Sequence, residues 1–251
     1  MVKKTFMVLG ALGSLALMAA AGGCSSSPNP GGGDDGGPDT GNTPDVVRRD
    51  VVVPDTGTTP MCPTPADVSG FTPPTKVHDY NAPQQKCTNA QIAGFYAACL
   101  DNNAPMGACT NWTNMASDAA TSNKDCGACL VTSNTASKYG PVVAGQGVVS
   151  LNIAGCLANA GAATCALSYE INDACVDAAC EEQCPVSDNA SFAKYQQCRT
   201  NAQNGGCKKY ADKVDQDCPA DAGAVVTCTD FADFQAGFTA FAKIFCNPGN
   251  Q

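Results

Sequence analysis

Few residues in this chain are placed to do chemistry. Cys126-Gly127-Ala128-Cys129 has the spacing of thiol oxidoreductases, in which a thiol at a helix N-terminus is activated by a lowered pKa. Ser122 is positioned to cap such a helix. Domains of that type rest on alternating strands and helices, a pattern this sequence lacks, so structural bridging is the preferred reading of the pair. The single histidine, His78, stands in an extended context, TPPTKVHDYNAP, that reads as packing or surface. With one histidine, no Ser-His-Asp arrangement exists without it. Glu170, Glu181 and Glu182 are the only glutamates. Glu181 and Glu182 are neighbours, point about 100° apart on a helix, and read as solvated. Sequence spacing alone does not set Glu170 opposite an aspartate as paired-carboxylate hydrolysis requires. Cys175, Cys180 and Cys184 share one predicted helix and suggest a cluster, but no second Cys-x2-Cys accompanies Cys126/Cys129. Neither a metal nor a cofactor is expected.

One apolar pattern has two readings. Phe231, Phe234, Phe238, Phe241 and Phe245 recur every three or four residues, one stripe of a helix. The stripe reads first as core. Alternatively Phe234, Phe238 and Phe241 line a cavity for a hydrophobic small molecule. Trp112, the only tryptophan, is assigned to the core.

The positioning elements read as helices. Ile92, Phe95, Tyr96, Cys99 and Leu100 form one helical face behind Thr88, a predicted N-cap. Further helices are predicted over 163–184, ended by Pro185, over 188–204 behind Asp188, around Tyr210, Val214 and Cys218, and over 229–245 capped by Thr229. Residues 140–156 fit either a short hairpin around Gly145-Gln146-Gly147 or a loop leading into a helix at 151–158. Two strands alone are marginal, which favours the loop and helix. Three Cys-x9-Cys pairs, 99/109, 165/175 and 218/228, have the spacing found in disulfide-linked helical hairpins, but they are scattered and read as coincidence.

Composition then sets the compartment. The chain has 251 residues, net charge −9, and 17 cysteines. The acidic balance argues against nucleic acid. Lys3 and Lys4, the apolar run 6–21 and the small residues before Cys24 form an export signal over 1–23, shorter than a membrane span. Setting Cys24 aside leaves sixteen: Cys62, Cys87, Cys99, Cys109, Cys126, Cys129, Cys156, Cys165, Cys175, Cys180, Cys184, Cys198, Cys207, Cys218, Cys228 and Cys246. An even set outside the cytosol implies closed disulfides, with connectivity open. Residues 25–61 lack aromatics and are crowded with Gly, Pro, Ser, Thr and Asp, so 24–61 reads as a disordered, low-complexity linker. The folded part is 62–251.

Ala21-Gly22-Gly23-Cys24 resembles the lipobox of bacterial lipoproteins, although that family prefers leucine where Ala21 stands. The resemblance implies lipidation of Cys24, and Ser25, rather than aspartate, implies outer-membrane sorting. With the linker and the motifs CGACL, GPVV…LNIAGCLA and ACVDAACEEQC, the chain resembles the cysteine-rich lipoproteins of predatory soil myxobacteria. That likeness concerns architecture and location and implies no activity.

The expected fold is all-α, a disulfide-stapled multi-helix domain behind a disordered tether. The expected function is that of a cell-envelope lipoprotein with a non-enzymatic structural or recognition role. Its expected partners are the outer membrane, through the lipid on Cys24, and a protein or polysaccharide. The alternatives are a carrier of a hydrophobic small molecule and a thiol-disulfide oxidoreductase through Cys126/Cys129.

Overall fold

The computed structural model describes residues 62–116, 121–145 and 147–247. The readings made of 1–61, namely the signal, Cys24 and the linker, lie outside the described residues.

Local signals start most helices. Thr88 caps α1 (Asn89–Phe95) through a capping box: its hydroxyl accepts from Gln91 N–H, and the Gln91 side chain accepts from Thr88 N–H at 2.9 Å. A π-helical turn, Tyr96–Leu100, continues it. After α2 (Ala108–Asn114), Ser122 caps α3 (Asn123–Leu130) by accepting from Asp125 N–H. Next come strands β1 (Val131–Ser133), β2 (Val142–Gly145) and β3 (Val148–Leu151), then α4 (Ile153–Asn159) and α5 (Ala163–Cys180). Asp188 caps α6 (Asn189–Asn204), as its position predicts, and α7 (Lys208–Asp217) and α8 (Gly223–Thr229) follow. The last helix, α9 (Phe234–Cys246), is capped by Asp233 rather than Thr229. The reason is local: Thr229 closes α8, and Phe231 sits outside the helix with its ring edge-on to Phe241 at 5.5 Å.

The architecture is mainly helical with a small sheet, which corrects the all-α expectation. β1 pairs in parallel with β2, and β2 pairs antiparallel with β3. The preference for a loop over a hairpin at 140–156 is therefore also corrected: β2 and β3 pair as a hairpin, and a helix starts behind it at Ile153. The third strand supplies what two strands lack. Gly147 takes φ +77° at the turn, where an added Cβ would also collide with the Val186 carbonyl.

Two buried clusters form. The larger joins Ile92, Phe95, Leu100, Trp112, Leu130, Val142, Leu157, Phe238, Phe241 and Phe245. The smaller joins Val176, Ala179, Tyr195, Ala202 and five cysteines. α5 serves both: Cys165 and Ala166 lie in the first, and Cys175, Val176, Ala179 and Cys180 in the second. An extended segment ahead of α1 crosses the two. Ala66 N–H donates to Ala179 O at 2.8 Å, Asn81 N–H to Tyr139 O at 2.8 Å, and Cys87 N–H to Cys246 O at 2.9 Å.

All sixteen cysteines of the folded part pair: 62–184, 87–126, 99–109, 129–246, 156–228, 165–218, 175–207 and 180–198. Each such bridge typically contributes about 2–4 kcal/mol, chiefly by restricting the unfolded chain. The Cys-x9-Cys spacing is not all coincidence. Cys99 bonds Cys109, and the 165/175 pair on α5 bonds Cys218 and Cys207 at the two ends of α7. That is a two-bridge helical hairpin with α6 inserted between its arms.

Phe241 is fully buried between α9 and the first cluster, so Phe241→Ala is expected to cost about 3–5 kcal/mol, read as a lower urea midpoint. Val226→Ala, at a side chain 41% exposed, should stay within about 0.5 kcal/mol. Equal, small effects of the two changes would contradict this core.

Candidate functional site

The side chains singled out from sequence do not converge. Cys126 is bonded to Cys87 and Cys129 to Cys246, and both are buried. A redox Cys-x-x-Cys must bond to itself and expose one sulfur, so the redox reading of Cys126/Cys129 is corrected to two separate structural staples. Cys175, Cys180 and Cys184 part in the same way, to Cys207, Cys198 and Cys62. His78 stacks flat on Tyr139, centroids 3.7 Å apart, with Nε2 3.0 Å from the Ala136 carbonyl oxygen. Phe238 and Phe241 are fully buried among other rings and do not line the cleft described below. Phe234 alone of the three proposed lining residues faces open space.

That space is a cleft of about 460 Å³ between α5, α6 and the β2–β3 hairpin, a volume within the usual range for ligand sites. One wall is acidic. Glu170, Asp173, Asp177 and Glu181 lie at successive steps of three, four and four residues, so at 100° per residue they share one face of α5 and its C-terminal end. The buried residues Cys165, Ser168, Asn172, Cys175, Val176 and Ala179 occupy the other side of the helix. The rest of the lining mixes apolar side chains, Val143, Val148, Leu151, Ile153, Phe192 and Phe234, with polar ones.

Two elements are bonded to this acidic face. From α6, Arg199 donates to Asp173 and to Asp177, and also to Tyr195 Oη at 3.0 Å. From the β1–β2 connection, Asn134 Nδ2 donates to Glu181 Oε1 at 3.3 Å. From the segment ahead of α1, the His78 backbone N–H and ring partly offset the burial that raises the Glu170 carboxyl. The charges do not balance, since four carboxylates meet one guanidinium. Burial, then repulsion from Asp173, pushes the Asp177 carboxyl up to about 7, despite the opposing attraction of Arg199. Burial and Asp173 also raise Glu170. Burial works against the Arg199 charge, but Asp173, Tyr195 and Asp177 outweigh it and raise its pKa, so it stays cationic. The carboxylates are spread along the helix. Among the described residues no three acidic, histidine or cysteine side chains are grouped to hold a metal ion.

Asp173, Asp177, Tyr195 and Arg199 were not among the residues singled out from sequence. Their signals were present: the acidic residues keep helical spacing inside a predicted helix, and Arg199 is the only arginine of the folded part.

The raised carboxyls set a pH dependence. An acid whose pKa is higher folded than unfolded binds its proton more tightly in the native state. Stability is then fully present below the unfolded value near 4 and falls as pH rises through the folded value of about 7. The urea midpoint of the oxidised chain should be higher at about pH 5.5 than at about pH 8. Asp177→Asn should remove most of that difference. A midpoint that rises with pH would contradict the charge imbalance.

Compared with known proteins, this chain matches no protein-family model, no curated protein and no solved structure, so the meaning of the cleft is argued from its own geometry.

Proposed function

We propose that this chain is a cell-envelope lipoprotein with a non-enzymatic recognition role, exported by 1–23, lipidated at Cys24 and carried to the outer membrane on the 24–61 linker. Eight closed disulfides support a compartment outside the cytosol. They also leave Cys24 as the one cysteine of the 17 without a partner among the folded sixteen, as an anchor residue requires.

The observation that carries the recognition reading is the cleft. A small domain that only spaces or stiffens an envelope has no need of four carboxylates and one arginine crowded beside apolar side chains. Like charges on one helix face at i, i+4 spacing are unfavourable, and burial makes them more so. A complementary cationic partner repays that cost on binding. Disulfide-fixed walls lower the ordering cost of association. Phe234 and the hairpin valines supply the apolar contact that a purely polar trough lacks.

The test is a photoreactive residue at Ser150, a solvent-facing cleft position, in cells of the native organism. A discrete adduct is expected at Ser150 and not at Lys208, an exposed residue of α7 away from the cleft. No adduct, or the same adduct at both positions, would overturn the reading.

A further inference from the structure

The two strands of the hairpin meet the cleft differently. β2 contributes Val143 and Gly145, alternate residues, as a strand does when it offers one face. β3 contributes Val148, Val149, Ser150 and Leu151, four in succession. Residues of both parities reach the same space where a strand presents its edge. β3 is an outer strand of the order β1-β2-β3, and its partner is β2. Among the described residues no backbone hydrogen bond joins Val148–Leu151 to any element other than β2. An outer edge of this kind carries unpaired N–H and C=O groups that template another strand.

The acidic wall repeats at a spacing near that of such a strand. Steps of four residues along α5 advance about 6 Å, and steps of three about 4.5 Å. Same-side residues of an extended chain repeat about every 6.6–6.8 Å. The span from Glu170 to Glu181 is about 16 Å, room for about five extended residues. A small amine meets one or two of these carboxylates, and a metal ion needs them convergent. An extended chain with basic side chains on one side meets up to three of them in sequence, beside the apolar lining of Val148, Phe192 and Phe234. With Arg199 counted, the wall keeps three negative charges when its carboxylates are ionised, which selects a basic partner and disfavours an acidic one.

We propose that β3 is a docking edge for an extended polypeptide segment of a partner protein, which adds as a strand beside β3 and sets lysine or arginine side chains at alternate positions against the α5 carboxylates. This rests on the recognition reading of the cleft and names its partner class. Main-chain hydrogen bonds to β3 supply affinity, and the charged wall supplies specificity, the division seen wherever peptides bind by strand addition.

The probe is a fluorescein-labelled nine-residue peptide alternating lysine with threonine or valine, titrated by fluorescence polarisation against the oxidised chain. Three comparisons accompany it: the same peptide N-methylated at alternate backbone nitrogens, a glutamate-for-lysine peptide, and the protein variant Glu170→Gln/Glu181→Gln. The lysine peptide should bind, N-methylation should weaken it by at least about tenfold, and the glutamate peptide should not bind. The double variant should weaken binding by about tenfold and flatten its salt dependence. N-methylation alters only the ligand, so that comparison holds however the variant folds. Equal binding of the N-methylated peptide, or no binding of the lysine peptide, would overturn the proposal. If Ser150 gives its adduct in cells while the lysine peptide fails, strand addition falls and the cleft reading survives. If neither occurs, both fall.

Discussion

Burying α5 on one side while crowding four carboxylates on the other is the constraint around which this molecule is built. An 18-residue helix with an acidic face is held down only if its opposite face is firmly packed. That face has small side chains, Cys165, Ser168, Cys175, Val176 and Ala179, which bury modest apolar area. Covalent bonds supply the remainder. Cys165 and Cys175 bond the two ends of α7, and Cys180 bonds Cys198 on α6. Ser168 Oγ, donating to Asp217 beside the first bridge, closes the α5–α7 contact. The same helix thereby links the phenylalanine-rich cluster to the cysteine-rich one.

The cleft follows from this arrangement. With α5 fixed from behind, its carboxylates become attachment points for Arg199 and Asn134, which position α6 and the sheet around one space. The charge imbalance is what separates this network from an ordinary satisfied ion-pair cluster. Phe234 at the rim and Phe238 and Phe241 in the core show how one helical stripe divides between packing and surface.

Much of the helical architecture was legible because its signals are local. Thr88 and Asp188 name their helices through side-chain hydrogen bonds a few residues long. The cysteine count fixed the number of bridges but not their partners, because pairing depends on which helices meet. Thus Cys126 and Cys129, three residues apart, bond in opposite directions along the chain, to Cys87 and Cys246. Thr229 was a sound cap by type, yet it closes α8, and Phe231 packs edge-on against Phe241 outside α9. The hairpin was legible as an alternative, and what decided for it was β1, a three-residue strand too short to read from pattern. The acidic face was visible as spacing, but its meaning came from Arg199, about two helix lengths away in sequence.

The most direct test of this account is a disulfide map of the oxidised chain by proteolysis and mass spectrometry without reduction. The account predicts Cys165–Cys218, Cys175–Cys207 and Cys180–Cys198 as the three bonds that hold α5. A Cys165–Cys175 bond, a Cys126–Cys129 bond, or free thiols on α5 would contradict it, because α5 would then lack the fixed back on which the acidic wall depends.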